Sequence, residues 1–254
     1  MKGFLVVIPA RYGAQRLPGK PLLDIAGKPM VIHTYEAACQ SDAGRVVIAT
    51  DDQRICDAAR AYDAEVVMTR ADHPSGTDRV AEVARELALA DDAVLVNVQA
   101  DEPLIPPECI NQVAGNLDNN AAMGIATLCE PIDDESMVQD PNCVKVVFSG
   151  QGQALYFSRA AIPYQRDPGE GRPQYFRHVG IYAYRCHVLR QFVSWEPAAL
   201  ERSEKLEQLR AMANGVPIHV APAVSSMPPG VDTEQDLAQV RLVLQEAGQM
   251  AGET

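Results

Sequence analysis

The sequence predicts an α/β protein in which a mixed, mostly parallel β-sheet is flanked by helices. Two observations carry this prediction. Short apolar runs alternate with helical patterns along the 254 residues, which is the arrangement that produces parallel strands joined by crossover helices. Several of the apolar runs, Phe4–Pro9 first among them, place β-branched residues on consecutive positions, as strands buried on both faces do.

The apolar runs define the predicted strands. They are Phe4–Pro9, Arg45–Thr50, Glu65–Met68, Val94–Val98, Gly124–Cys129, Val144–Ser149, Ala154–Ser158, Val179–Arg185 and Ile218–Ala221. Residues 144–158 are predicted to form a β-hairpin that turns at Gly150 and Gly152. Residues 163–176 hold three prolines and two glycines, and we expect an exposed loop there. Because no linker or internal repeat is visible, we expect one domain over residues 1–254 with an inserted hairpin region at about 144–185.

Two helices begin at recognisable capping residues. Ser75 followed by Asp78 resembles a capping box and precedes the helical pattern DRVAEVARELAL. The last helical pattern, EQDLAQVRLVLQEA, follows Asp232 and Thr233, and either residue can supply its N-cap.

Charge and cysteine usage restrict the possible functions. The formal net charge is −12 with a pI of about 4.8, and such a surface repels nucleic acid and anionic membranes. The six cysteines form no CxxC pair, which favours a reducing compartment. The apolar run after Met1 is too short to span a membrane and lacks a cleavage site. We therefore expect a cytoplasmic protein that neither binds nucleic acid nor inserts into a membrane.

The segment after the first strand has the composition of an anion-binding loop. The segment holds three cations in a stretch of ten residues, Arg11, Arg16 and Lys20. It follows the strand at the sheet edge where open α/β sheets bind ligands. Gly13 and Gly19 let the backbone approach a ligand closely. The loop is no P-loop, because these glycines are one residue too far apart for GxxxxGK[ST], and the dinucleotide pattern GxGxxG is absent from the chain. A triphosphate is the anion that this combination fits best.

A resemblance to a known family starts in this loop. IPARYGAQRLPGKPL followed by IAGKPMVIH resembles the N-terminal signature of sugar-activating nucleotidyltransferases, and it is most similar to that of the 3-deoxy-manno-octulosonate cytidylyltransferases. Further segments match in family order over roughly residues 4–241, among them VVMTRADHPSGTDRVAEV, VNVQADEPLIPP, RHVGIYAYR, LEQLRAMANGVPIHV and GVDTEQDL. The resemblance implies a Rossmann-like nucleotidyltransferase fold with about seven strands. It also implies a homodimer formed through the later part of the chain.

The same resemblance implies an activity and a set of site residues. The implied reaction transfers CMP from CTP to 3-deoxy-D-manno-octulosonate, an acid sugar, with Mg²⁺ as cofactor and release of pyrophosphate, to activate the sugar for lipopolysaccharide inner-core synthesis. Asp101 and Asp232 are implied to bind the metal, and together with Lys20 and Arg11 they are the implied catalytic residues. The implied nucleotide-binding residues are Arg11, Arg16, Lys20, Ser75 and Arg79. The implied sugar-binding residues are Gln99, Arg159, His178, Tyr182, Glu207 and Gln208.

The residues by themselves support only part of this set. Asp101 follows the apolar run Val94–Val98 and so belongs at the ligand-binding edge, where a carboxylate suits Mg²⁺. Asp232 is equally well explained as a helix cap, and the six sugar-binding positions also fit ordinary structural roles. Spacing in the sequence does not pair Asp101 with Asp232.

Two other functions stay open from the sequence. One is a cytidylyltransferase for a different acid sugar, such as an amino-octulosonate or a nonulosonate. The other is a catalytically silent nucleotide-binding protein, because the chain departs from the family pattern at Gly13-Ala14-Gln15 and at Ala100. The joint presence of Lys20, Asp101 and Asp232 favours an active enzyme.

Overall fold

The computed structural model of the protein describes residues 3–13, 17–167, 171 and 173–252. The strands in these ranges are β1 (Leu5–Ala10), β2 (Asp24–Ile25), β3 (Lys28–Pro29), β4 (Arg45–Thr50), β5 (Val66–Met68), β6 (Val94–Asn97), β7 (Ile125–Ile132), β8 (Lys145–Phe148), β9 (Ala154–Ser158), β10 (Tyr175–Arg185) and β11 (Ile218–Pro222). The helices are α1 (Met30–Cys39), α2 (Gln53–Arg60), α3 (Gly76–Glu86), α4 (Pro107–Asn119), α5 (Glu135–Gln139), α6 (Cys186–Phe192), α7 (Ala199–Glu204), α8 (Gln208–Ala213) and α9 (Glu234–Gly252), with a 3₁₀ turn at Lys20–Leu22.

The main sheet has the strand order β11-β7-β10-β6-β1-β4-β5, and the hairpin β8–β9 pairs with β10 through β8. Strand β1 is parallel to β4 and β6, β4 is parallel to β5, and β7 is parallel to β11. Strand β10 is antiparallel to both of its neighbours, β6 and β7. The expected mixed, mostly parallel sheet flanked by helices, with a hairpin attached, is thereby confirmed.

The main differences from the predicted strands are the earlier start of β10 and an additional small sheet. Strand β10 begins at Tyr175, four residues before the predicted start, because pairing with β7 continues through Tyr175↔Ile132. The predicted loop 163–176 is therefore shorter at its end, and part of it (168–170 and 172) lies outside the described residues. The small two-stranded sheet β2–β3 was not predicted, since two-residue strands leave no periodic pattern.

Both faces of the central strand β1 are buried. Val6 and Ile8 face the core that includes α1 and α4, whereas Leu5 and Val7 face the core that includes α3 and α6. Each such buried aliphatic side chain contributes roughly 1.5–3 kcal/mol to folding. The carboxyl end of β1 is consequently held rigidly between two helical layers. None of the helices in the described part of the chain combines the length and apolar character needed to cross a bilayer.

Candidate functional site

A cavity of about 370 Å³ opens at the carboxyl ends of β1 and β6. These strands are parallel neighbours, so the residues that follow them meet at one edge of the sheet. The lining residues come from the segment after β1, the start of α3 and the segment after β6, and they are Pro9, Arg11, Lys20, Pro21, Pro74, Ser75, Gly76, Gln99, Ala100 and Asp101. The anion loop and the acidic segment predicted from the sequence therefore share one cavity.

Lys20 lies between the two aspartates that the resemblance implied. Its Nζ is 2.5 Å from Asp101 Oδ2 and 3.0 Å from Asp232 Oδ1, so these two oxygens lie within 5.5 Å of each other, the sum of the two distances. The Lys20 side chain is 11% exposed, against 33% for Asp101 and 62% for Asp232. Burial lowers the pKa of Lys20, but the charge of Asp101 and the hydrogen bonds to both aspartates together raise it above its ordinary value.

The backbone around Lys20 explains how the loop holds this position. Gly19 adopts a φ of 70° and precedes the 3₁₀ turn, whose second residue is Pro21. A side chain at Gly19 would be strained at this φ and would approach the Tyr12 ring to within 3.1–3.2 Å. The Gly19 N–H donates to the Tyr12 carbonyl at 3.0 Å, and the Arg54 guanidinium stacks 3.3 Å above the Tyr12 ring centroid. These contacts hold Tyr12 and Gly19, the two described ends of the loop, close to each other.

Thr233, and not Asp232, caps α9. The Asp236 N–H donates to Thr233 Oγ1 at 3.2 Å, and the Thr233 N–H donates to Asp236 Oδ2 at 2.8 Å, which is the reciprocal pattern of a capping box. The sequence had left either residue open as the cap. Because Thr233 takes that role, the carboxylate of Asp232 can contact Lys20.

The carboxylates of Asp101 and Asp232 fit a magnesium site. Mg²⁺ binds hard oxygen ligands at 2.0–2.1 Å and commonly uses one or two carboxylates together with substrate phosphates and water. Both carboxylates already converge on a cation, the Lys20 ammonium, so the two groups are placed where they could share a divalent ion. No group of three or more metal-ligating side chains occurs in the described ranges, so phosphate and water would have to complete the coordination.

Glu102 adds a third acidic side chain next to this pair. It is half-buried as a whole, but its Oε2 is fully buried and finds no hydrogen-bond partner in the described part of the chain. Burial, with the neighbouring Asp101 charge, raises the pKa of Glu102 to about 8. A neutral carboxyl is the form that such surroundings favour near neutral pH.

The predicted nucleotide-binding residues occupy different positions in the structure. Arg11 lines the cavity, and its Nη2 is buried without a hydrogen-bond partner among the described residues. Ser75 also lines the cavity and caps α3, accepting from the Asp78 N–H at 3.3 Å, which confirms the predicted cap. Arg16, like the neighbouring Ala14 and Gln15, lies outside the described residues.

Arg79 is buried behind the cavity wall. It is 0% exposed, lies 3.2 Å from Asp51 Oδ1 through its Nη2 and hydrogen-bonds the Thr69 hydroxyl. Burial lowers the pKa of Arg79, the Asp51 charge opposes this, and the nearby Arg11 charge lowers it further. The prediction that Arg79 touches the nucleotide is therefore not matched by its position, since it does not line the cavity. The Arg79 guanidinium lies behind this wall, with the Asp51 carboxylate beside it.

A second, smaller cavity of about 100 Å³ adjoins the first at Gln99, which lines both. Four of the six predicted sugar-binding residues line it, namely Gln99, Tyr182, Glu207 and Gln208. Three further polar residues line this cavity and were not predicted from the sequence, namely Thr77, Asn97 and Tyr184. Asn97 carried one usable signal, because it is a polar residue inside the otherwise apolar run VLVNV.

His178 and Arg159 do not line either cavity. The His178 ring packs 5.3 Å from the Tyr182 ring, and its Nε2 is 3.0 Å from Thr127 Oγ1. Burial, and then the Arg177 charge, lower the pKa of His178 to about 3, so it supports Tyr182 as a neutral ring. The Arg159 guanidinium donates to the carbonyls of Glu204 and Pro141, both at 2.7 Å. The predicted sugar contact of Arg159 is not matched by this arrangement.

Comparisons with known proteins show the family to which the chain belongs. A family model described as cytidylyltransferase matches residues 5–218. The chain is 56% identical to the 3-deoxy-manno-octulosonate cytidylyltransferase of Hahella chejuensis over 96% of this chain and 98% of the relative. It is 57% identical to the enzyme of that name from Alcanivorax borkumensis over 95% of this chain and 98% of the relative.

Solved structures show the same relationship. A structure of CMP:2-keto-3-deoxy-manno-octonic acid synthetase complexed with CTP has a TM-score of 0.90 and 43% identity, and covers 97% of this chain and 100% of the other. A structure of 4-diphosphocytidyl-2C-methyl-D-erythritol synthase has a TM-score of 0.65 at 14% identity, and covers 96% of this chain and 99% of the other. The second likeness is one of fold alone.

Proposed function

The chain belongs to the cytidylyltransferase family, among its 3-deoxy-manno-octulosonate members, and we propose that it transfers CMP from CTP to 3-deoxy-D-manno-octulosonate with release of pyrophosphate. The product would activate the sugar for lipopolysaccharide inner-core synthesis. One observation supports this proposal above the others: Lys20, held between Asp101 and Asp232, lines a cavity that shares Gln99 with a second, polar cavity. A nucleotide and a polyhydroxylated acid would then meet at Gln99.

We assign the triphosphate of CTP to the first cavity. Lys20 and Arg11 supply positive charge there, and the N-terminus of α3 at Ser75 and Gly76 supplies backbone N–H groups. Lys20 makes ionic contacts with two aspartates, so the phosphates of the nucleotide would share its ammonium with these carboxylates. The net charge of −12 makes this local concentration of cations significant.

We assign Mg²⁺ to the carboxylates of Asp101 and Asp232. Bound there, the ion would neutralise charge on the phosphate oxygens of the nucleotide. Lys20 would remain the neighbouring cation on the side of Arg11. The family pattern has a small hydroxyl pair where this chain has Gly13-Ala14-Gln15, so we expect a changed affinity for CTP and not a lost activity.

We assign the sugar to the second cavity, with its anomeric hydroxyl directed past Gln99 toward the α-phosphorus. The hydroxyl oxygen forms a bond to the α-phosphorus and gives up its proton, and the bond from the α-phosphorus to the pyrophosphate oxygen breaks in line. The chain needs no covalent nucleophile for this reaction, because alignment of the reactants and neutralisation of charge supply the rate enhancement.

A pyrophosphate-release panel tests the proposal. The purified protein is incubated with each of four nucleoside triphosphates and with 3-deoxy-D-manno-octulosonate, its amino variant or a nonulosonate, with and without Mg²⁺. We expect release only with CTP and fastest with the octulosonate, and only with Mg²⁺ present. Faster release with a different acid sugar would identify that sugar as the substrate instead of the octulosonate. Binding of CTP without pyrophosphate release for any sugar would indicate a catalytically silent nucleotide-binding protein.

We also propose a cytoplasmic homodimer that pairs through the region at about 144–185. Leu155 on β9 is 58% exposed and Tyr164 is 86% exposed, and both apolar side chains would be covered in such a dimer. Light scattering of the protein tests the dimer: we expect twice the mass of 27.6 kDa. Replacement of Leu155 by Glu should shift the mass to that of a monomer.

A further inference from the structure

Asn97 is a buried polar residue whose side chain has an unused acceptor. It ends β6, is 2% exposed, and its Oδ1 is fully buried with no hydrogen-bond partner in the described ranges. Buried polar atoms in native proteins are nearly always hydrogen-bonded, because an unpartnered one loses its contact with water and gains nothing in return. An unpartnered oxygen at this position therefore calls for a ligand or an ordered water.

Asn97 is one of the residues that line the second cavity. Asn97 pairs directly with Tyr182 across the antiparallel strands β6 and β10, so the two side chains lie on the same face of the sheet. Gln99, two residues further on, lines this cavity as well as the first one. Asn97 therefore lines the inner part of a pocket that begins beside the nucleotide cavity.

Three of the polar groups around this cavity act as acceptors toward a ligand, beside amide and phenol groups that can also donate. Thr77 Oγ1 donates to Glu207 Oε2 at 2.6 Å, so the only proton of that hydroxyl is already used. The Glu207 carboxylate accepts only, and the free oxygen of Asn97 is another acceptor. Each of these three acceptors can take a hydrogen bond from a ligand hydroxyl, and a polyol supplies several such hydroxyls.

We propose that Asn97 is a further specificity-determining residue, whose Oδ1 accepts a hydrogen bond from a hydroxyl group of the sugar acid. The inference rests on the proposed function, since it takes the second cavity as the place of the sugar. It assigns Asn97 to recognition of the polyol chain and leaves the transfer of the nucleotide to the residues of the first cavity. A sugar acid without a hydroxyl at that place would leave the oxygen buried and unpartnered.

The test is a steady-state comparison of two apolar replacements. Asn97→Leu removes the amide at similar size, and Asn97→Val does so with a β-branched residue that suits a strand. We expect the KM for the octulosonate to rise about tenfold or more, the change that corresponds to loss of one buried hydrogen bond. The KM for CTP should change less than twofold. Pyrophosphate release is measured with one substrate saturating and the other varied.

Asn116→Leu is a matched control. Asn116 lies on α4, lines neither of the two cavities described above, and also has a buried amide atom, Nδ2, without a partner among the described residues. It should keep both KM values of the wild-type protein. The inference is overturned if a folded Asn97 variant keeps the wild-type KM for the sugar. It is also overturned if the KM for CTP rises as much as the KM for the sugar. In either case the proposed function stands. Absence of turnover by the wild-type protein with every acid sugar would overturn both.

Discussion

Replacement of Asp101 by Asn is the most direct perturbation of the proposed site. The amide keeps the size of the carboxylate and an oxygen toward Lys20, but it removes one of the two negative charges around the ammonium. The remaining partner, Asp232, is 62% exposed, so its interaction with Lys20 is more strongly screened by water. The variant should therefore retain its fold and lose both charge balance and one ligand of the proposed metal.

The magnitude follows from the geometry of the pair. Two unit charges about 4 Å apart near a protein surface interact by about 4 kcal/mol, and solvent reduces this for Asp101 because its side chain is 33% exposed. Loss of one preorganised electrostatic group typically costs roughly 2.7–4 kcal/mol in the transition state. We therefore expect kcat to fall about 10²–10³-fold at saturating CTP, sugar and Mg²⁺.

Two measurements check this expectation. Pyrophosphate release gives kcat, and NMR of the lysine side chains gives the pKa of Lys20, which should fall because the largest contribution that raises it comes from Asp101. Asp91→Asn is the matched control. Asp91 is an 81% exposed carboxylate that pairs with Arg190 and lies outside both cavities, so its replacement removes an ion pair without touching the site. A kcat within threefold of the wild-type value at saturating Mg²⁺ would show that Asp101 does not bind the catalytic metal.

Three further predictions concern the cap, the sugar cavity and the buried histidine. Ser75→Ala removes the cap of α3 and should lower the free energy of unfolding by about 1 kcal/mol and weaken CTP binding. The control Asp134→Ala removes the cap of α5 and should lower the free energy of unfolding without changing CTP binding. Calorimetry measures the stability of each variant, and titration with CTP measures its affinity. Glu207→Gln should raise the KM for the sugar at least tenfold and leave the KM for CTP unchanged, and equal changes in both would contradict the assignment of the second cavity. The folded-state pKa of His178 is lowered to about 3, so its contribution to stability is present above pH 6.5 and is lost as the pH falls toward 3. The loss amounts to up to about 1.4 kcal/mol per pH unit. His178→Phe should make the free energy of unfolding in urea depend less on pH between pH 7 and pH 5.

Local sequence patterns determined the strands of the sheet and the start of α3. The predicted strands Arg45–Thr50 and Ala154–Ser158 coincide with β4 and β9 at both ends, because burial of consecutive apolar residues and turn residues on either side leave little choice of conformation. The cap at Ser75 was likewise readable, since a capping box involves residues only three apart. The position of the anion loop followed from the end of β1.

The resemblance supplied what no local pattern contains. Asp101 lies 81 residues from Lys20 and Asp232 lies 212 residues from it, and no periodicity relates side chains at such separations. The resemblance did not supply everything, since Arg79 is buried beside Asp51 and Arg159 is held by backbone carbonyls. For these two, the side-chain environment decides whether a cation faces a ligand or the protein itself.

The sequence by itself determined that this chain forms a helix-covered sheet with a cationic loop and an acidic segment at strand ends. Only the tertiary structure decided that β10 enters the sheet between β6 and β7 in the opposite direction. That insertion sets Tyr182 across from Asn97 and builds the second cavity beside the first. The physical reason is that strand conformation depends on neighbours in the chain, whereas the order of strands depends on burial and pairing summed over the whole molecule.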